Sequence, residues 1–144
     1  MSSYNHILVG LDLSTESQQV IDRVKFLFVD TDTKISVCHI LEPLAFTYGG
    51  DIPVDLSDVQ AQLKEQAVER LASYGAQLNV KSDDQHVILG HPAQEMHAMA
   101  SSENIGLIVV GSHGRHGLSL IFGSTSNSVL HGASCDVLAV RITE

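Results

Sequence analysis

Leu107-Ile-Val-Val-Gly-Ser-His-Gly-Arg-His-Gly-Leu-Ser-Leu-Ile-Phe-Gly-Ser-Thr-Ser-Asn127 starts as an apolar run, breaks at Gly111, passes glycines 114 and 117, and resumes at Gly123-Ser124-Thr125-Ser126. A short apolar run stopped by glycine reads as a strand buried on both faces. Hydroxyl residues before a new helical pattern read as a helix start. A strand, a glycine loop and a helix in that order can receive a phosphate, because free backbone N–H groups and the positive end of the helix dipole face the loop. The same glycines would equally serve a tight strand-to-helix connection whose serines only cap the helix.

Working outward, the same alternation recurs along the chain. His6 to Leu11 is continuous and apolar, with Asp12 at its carboxyl end. Ser14 then precedes apolar residues at 20, 21, 24, 27 and 28, so a helix with Ser14 as N-cap is expected. Lys34 to Leu41 reads as a second strand, ending at Glu42-Pro43. Leu44 to Asp55 holds Gly49, Gly50, Pro53, Phe46 and Tyr48 and reads as a long loop or lid. Leu56, Val59, Leu63, Ala67, Leu71 and Tyr74 follow a helical period, and Gly75 is expected to terminate that helix. His86 to Leu89 fits a third strand. Pro92 opens a helix with the apolar face Ala93, Met96, Met99 and Ala100.

Leu107 to Val110 is the fourth strand, a helix runs from about Ser124 to His131, and Asp136 to Ile142 is the fifth strand. Five strands separated by helices predict a doubly wound α/β fold with a five-stranded parallel sheet and helices on both faces. Ligands of such sheets bind beyond the carboxyl ends of the strands, where the strand order reverses. With the order 3-2-1-4-5, that point lies between the first and fourth strands. It puts Gly10, Leu11 and Asp12 beside the glycine loop.

Composition narrows the partners. With 44% hydrophobic and 17% charged residues in 144, the chain can build one sizeable core, and residues 1–144 read as a single domain. Eight Lys and Arg against a net charge of −9 argue against nucleic acid and against an anionic membrane. The amino terminus carries no basic leader, and its apolar run is too short to span a bilayer, so the cytoplasm is the expected location. Cys38 and Cys135 read as buried free thiols. The eight histidines form no HExxH or Cys/His ligand set.

The glycine stretch is neither GxxxxGK[ST] nor GxGxxG. Arg115 is its one cation, and Ser124, Thr125 and Ser126 can add hydroxyl donors. Triphosphate charge would have to be met by N–H dipoles, Arg115 and a divalent ion such as Mg2+ carried with the nucleotide. A catalytic base or clamp could come only from His113, His116 and Arg115, so hydrolysis is expected to be slow at most.

Ile108 to Leu118, Gly123 to Leu130 and Cys135 to Arg141 closely resemble the terminal motif of the universal stress protein family. His6 to Ser14 resembles that family's first strand and turn, and Cys38-His39-Ile40 its second strand. The resemblance implies a Rossmann-like fold of the adenine nucleotide alpha hydrolase type and a stress-response role. It also implies a homodimer paired through the last strand, here Val137 to Ile142, and, in one branch, ATP binding. That branch's pattern, G-x2-G-x9-G-[ST], carries over as Gly111, Gly114, Gly123 and Ser124, with Asp12 and Ile40 resembling the residues beside adenine and ribose. Eight residues separate Gly114 from Gly123 where the pattern has nine. The resemblance therefore points to the nucleotide-binding branch with a shortened loop. A second branch lacks the glycines and binds no ATP, and its counterpart here would be a dimeric interaction protein with a structural glycine loop.

Overall fold

The computed structural model describes residues 4–43, 57–112 and 124–143, except for the side chains of 124–126. Its strands are β1 (His6–Gly10), β2 (Lys34–Leu41), β3 (Gln85–Leu89), β4 (Leu107–Gly111) and β5 (Asp136–Val140). Its helices are α1 (Ser17–Phe28), α2 (Ser57–Gln77), α3 (Pro92–Ser102) and α4 (Ser124–Gly132). The five strands form one parallel sheet in the order β3-β2-β1-β4-β5.

The apolar runs take the positions their composition demands. Every residue of β1 is buried, as are Leu107 to Val110 of β4, so these two strands fill the centre. Two cores cover the two faces. Ile7, Val9 and Val109 pack with Val20, Ile21 and Val24 of α1 and Leu71 of α2, whereas Leu8 and Ile108 pack with Met96 and Met99 of α3 and Val129 of α4. Burying each large aliphatic side chain contributes about 1.5–3 kcal/mol. A chain whose β1 alternation aims Ile7 and Val9 to one side and Leu8 to the other therefore requires helices on both.

Three local readings change. Ser14 is not the N-cap of α1: that position is Glu16, and Ser14 lies one turn earlier, where its carbonyl accepts the Ser17 N–H at 3.0 Å. Gly75 does not end α2 but lies buried inside it, packed so closely on β3 that a Cβ would sit 2.5 Å from Gln85 Nε2. The terminator is Asn79, at φ 57°, flanked by Val80 N–H donating to Gly75 O at 2.9 Å and Asn79 N–H donating to Ala76 O at 3.2 Å. That is a Schellman ending with asparagine in the left-handed position. Finally, β5 stops at Val140. Ile142 leaves the ladder, and its N–H donates to Ser112 Oγ at 3.2 Å. The expected lid, 44–55, lies outside the described residues.

Asn79 thus carries a conformation that costs a β-carbon residue about 1 kcal/mol or more. Asn79→Ala should lower the urea midpoint with an unchanged slope, whereas Asn79→Gly should hold or raise it.

Candidate functional site

Beyond Gly10, β1 and β4 separate. The chain after β1 turns into α1 on one face of the sheet, while α4, the helix that follows β4, packs on the other. The gap is a cavity of about 340 Å³, within the range of small-molecule sites. Gly10, Leu11, Asp12, Ile40 and Gly111 all line it. Five of the expected site residues, drawn from three strand ends, therefore meet in one place. Ser124, Thr125 and Ser126 form the first turn of α4. His113, Gly114, Arg115 and Gly123 lie outside the described residues.

Asp12 is held by its own loop. Its Oδ1 accepts the Ser14 N–H at 2.9 Å, the Ser14 hydroxyl at 2.6 Å and the Ser17 hydroxyl at 2.9 Å. These bonds fix the orientation of the carboxylate. All three fall on Oδ1, which leaves Oδ2 as an acceptor for a ligand. The following residue, Leu13, has φ 63° and a buried side chain. A left-handed non-glycine residue costs of order 1–3 kcal/mol, and the core packing of the Leu13 side chain offsets it. Tyr74 of α2 steadies the same loop by donating its hydroxyl to Ser14 O at 3.0 Å, and burial together with the negative charge of Asp12 pushes that phenol up.

The floor is apolar. Met96 lies across the end of β1, where a Cβ on Gly10 would stand 2.7 Å from its sulfur. Ile40, Pro92 and Val110 complete the surface. At the end of β4, Ser112 N–H donates to Val140 O at 2.8 Å, and a Cβ on Gly111 would lie 3.2 Å from Ile142 Cγ1. Glu16 and Glu42 join Asp12 at the rim, and no Lys or Arg lines the cavity among the described residues. No cluster of three or more His, Cys, Asp or Glu able to hold a metal occurs among those residues either.

Sequence reading missed Cys38, His39, Met96 and Pro92 as lining residues. For Cys38 and His39 the signal was available, since the strand-end rule that selects Asp12 after β1 applies equally to the last residues of β2. Cys38 is fully buried, and burial pushes its thiol up to about 12. Cys135 is half-buried, and its thiol is raised by burial and by the neighbouring Asp136.

With the geometry established, comparison with known proteins is informative. Residues 3–141 match the model of the universal stress protein family. The chain belongs to that family. It is 42% identical over 144 residues to universal stress protein A homolog 2 of Coxiella burnetii, covering 99% of this chain and 98% of that one. The solved structure of hypothetical protein MJ0577 superposes with a TM-score of 0.82 at 21% identity, covering 99% of each chain. A universal stress protein solved in complex with cAMP superposes with a TM-score of 0.69 at 20% identity, covering 99% of this chain and 100% of that one. Both superpositions show the Rossmann-like fold. Among the described residues no helix is long and apolar enough to cross a membrane.

Cys38 gives a direct test of the packed floor. A thiol reagent at pH 8 should modify Cys135 in the native protein and reach Cys38 only on unfolding. An unfolded thiol releases its proton near 9.0, but the folded Cys38 only near 12. Between those values the unfolded chain binds fewer protons, so stability falls as pH rises. Cys38→Ser should flatten that alkaline loss in denaturant titrations.

Proposed function

We propose that this universal stress protein binds an adenine nucleotide in the cavity between the ends of β1, β2 and β4, with ATP as ligand, and acts as a homodimeric stress-response module in the cytoplasm. The observation that carries this reading is the pairing of an apolar slot, floored by Ile40, Met96 and Val110, with a fixed carboxylate, Asp12. A flat base suits the slot. Asp12 Oδ2 suits a ribose hydroxyl or an exocyclic amino group, both donors. The nucleotide complex of a fold relative, the one with cAMP, supports a nucleotide in this fold.

Phosphates would lie toward Gly111 and the start of α4, met by the Gly114–Ser124 stretch with Arg115 and His113. The described rim is acidic, so ATP is expected to bind as its Mg2+ complex. Any hydrolysis is slow, because the sequence supplies Arg115 and loop histidines as its only candidates for a charge clamp at the γ-phosphate.

The dimer uses β5. It is an edge strand with half-buried Val137, Leu138 and Ala139. The Ser112 N–H to Val140 O bond fixes the parity: residues 138 and 140 turn their backbone groups to β4, while 137 and 139 turn theirs outward. A second copy across a two-fold axis would pair with that edge.

Melting with and without nucleotide tests the site. Free Mg-ATP at about 100 times Kd should stabilise by about 2.7 kcal/mol, EDTA should reduce the shift, and Asp12→Ala should abolish most of it. An unshifted melting curve at millimolar Mg-ATP would overturn the nucleotide reading in favour of an interaction protein with a structural loop. Light scattering tests the dimer separately. The wild type should weigh twice the chain mass. Ala139→Pro, which removes only an outward N–H, should return a monomer that still folds.

A further inference from the structure

The β1–β2 ladder ends in an unusual way. Gly10 is in register with Cys38, and the next rung is regular, with Leu11 N–H donating to Cys38 O at 2.9 Å. A parallel ladder would then continue with the Ile40 N–H donating to the Leu11 carbonyl. At that carbonyl, instead, the His39 ring is bound, its Nδ1 2.7 Å from Leu11 O. A carbonyl can only accept, so Nδ1 carries the proton.

The parity of β2 says where the Ile40 amide goes. Residues 38 and 40 present their backbone groups to the β1 side, whereas 39 and 41 present theirs to β3, as Gly90 N–H on Leu41 O at 2.9 Å confirms. Beyond Leu11 the chain swings away through Asp12 and the left-handed Leu13. Ile40 therefore faces a place that β1 has vacated, and that place is the cavity it lines.

We propose that His39 is a positioning residue: by occupying the Leu11 carbonyl with its Nδ1–H, it keeps the Ile40 backbone N–H out of the β1–β2 ladder and available inside the cavity. The consequence for affinity rests on the nucleotide reading above, in which that N–H meets an acceptor atom of the base. The positioning itself does not. A hydrophobic side chain at 39 would leave the Leu11 carbonyl to the Ile40 amide, the ladder would close by one rung, and the slot would lose a donor.

Amide hydrogen exchange on the unliganded, full-length protein decides it. In the wild type, the Ile40 amide should exchange at least about tenfold faster than the His39 amide, which the β2–β3 ladder holds. His39→Leu should slow Ile40 exchange by about tenfold or more. His39→Asn, whose side-chain NH2 can reach where Nδ1–H stands, should leave it fast. Nitrogen-15 spectra of the wild-type imidazole should report the Nδ1–H tautomer. With nucleotide present, His39→Leu should weaken binding about tenfold, the size of one hydrogen bond, and His39→Asn should restore it to within about threefold. An Ile40 amide as protected as that of His39 in the wild type, an Nε2–H tautomer, or unchanged Ile40 exchange in a folded His39→Leu would each overturn the proposal. Fast wild-type exchange at Ile40 without any melting shift from nucleotide would support the role of His39 and overturn the nucleotide reading alone.

Discussion

Everything at the carboxyl end of the sheet depends on one constraint: β1 and β4 lie side by side in the ladder, yet their helices belong to opposite faces. Ile7 pairs with Leu107 and Val9 with Val109, so the strands are bound through their centres. Past Gly10 the chain enters α1, which belongs to one core, while α4, the next described element after Ser112, belongs to the other. The cavity is thus a by-product of burying both faces of a parallel sheet, and its position needs no functional explanation. What is specific to this protein is the set of groups turned into it.

Those groups are costly to hold. A left-handed Leu13, an Asp12 side chain held in one orientation at a cavity rim and interrupted backbone pairing at Leu11 would each relax in an isolated loop. Each is fixed here by a contact from elsewhere in the fold: Leu13 by core packing, Asp12 by Ser14 and Ser17 at the start of α1, and Leu11 by His39 of β2. Tyr74 adds a tie from α2, sixty residues away. The loop from Leu11 to Ser14 is therefore tied to the sheet and to two helices.

The legibility of this arrangement in the sequence follows the range of the interactions. Apolar periodicity is local, and it located all five strands, because a run such as Leu107 to Val110 can be satisfied only at the centre, whereas the order 3-2-1-4-5 came with the doubly wound fold class. Asp12 was legible from the strand-end rule as well as from the family resemblance, and Ile40 from the resemblance alone; both line the cavity. Gly75 and Ser14 were misread for the opposite reason. Gly75 has the sequence context of a helix terminator, but the residue that decides its role, Gln85, stands on β3. Ser14 has the chemistry of a cap, but its hydroxyl is engaged by Asp12. His39 escaped notice as one of several scattered histidines, since nothing in its neighbours indicates that a carbonyl twenty-eight residues earlier will need a donor.

The histidines show how composition misleads when geometry is missing. Eight in a small chain suggest ligation, yet the ring nitrogens of three are committed within the fold. His39 donates to Leu11 O; His97 Nε2 meets Val129 O at 2.8 Å, joining α3 to α4; and His6 Nε2 pairs with Ser36 Oγ at 2.8 Å in the interior. For His39 and His97 the partner is a backbone carbonyl at the end or exterior of a regular element, where the periodic hydrogen-bonding pattern fails and a side-chain donor must replace a peptide N–H. An imidazole is suited to that task because it reaches farther than serine and buries an apolar ring edge as it donates. Gly132 belongs to the same device: a Cβ there would lie 2.5 Å from His97 Cε1, so the glycine exists to admit the ring. A histidine spent on a carbonyl keeps only one further nitrogen, and in the neutral ring that nitrogen is an acceptor. For His39, which lines the cavity, the partner fixes the role: the nitrogen that meets Leu11 O must be the donor, so the ring serves the site through the carbonyl it holds.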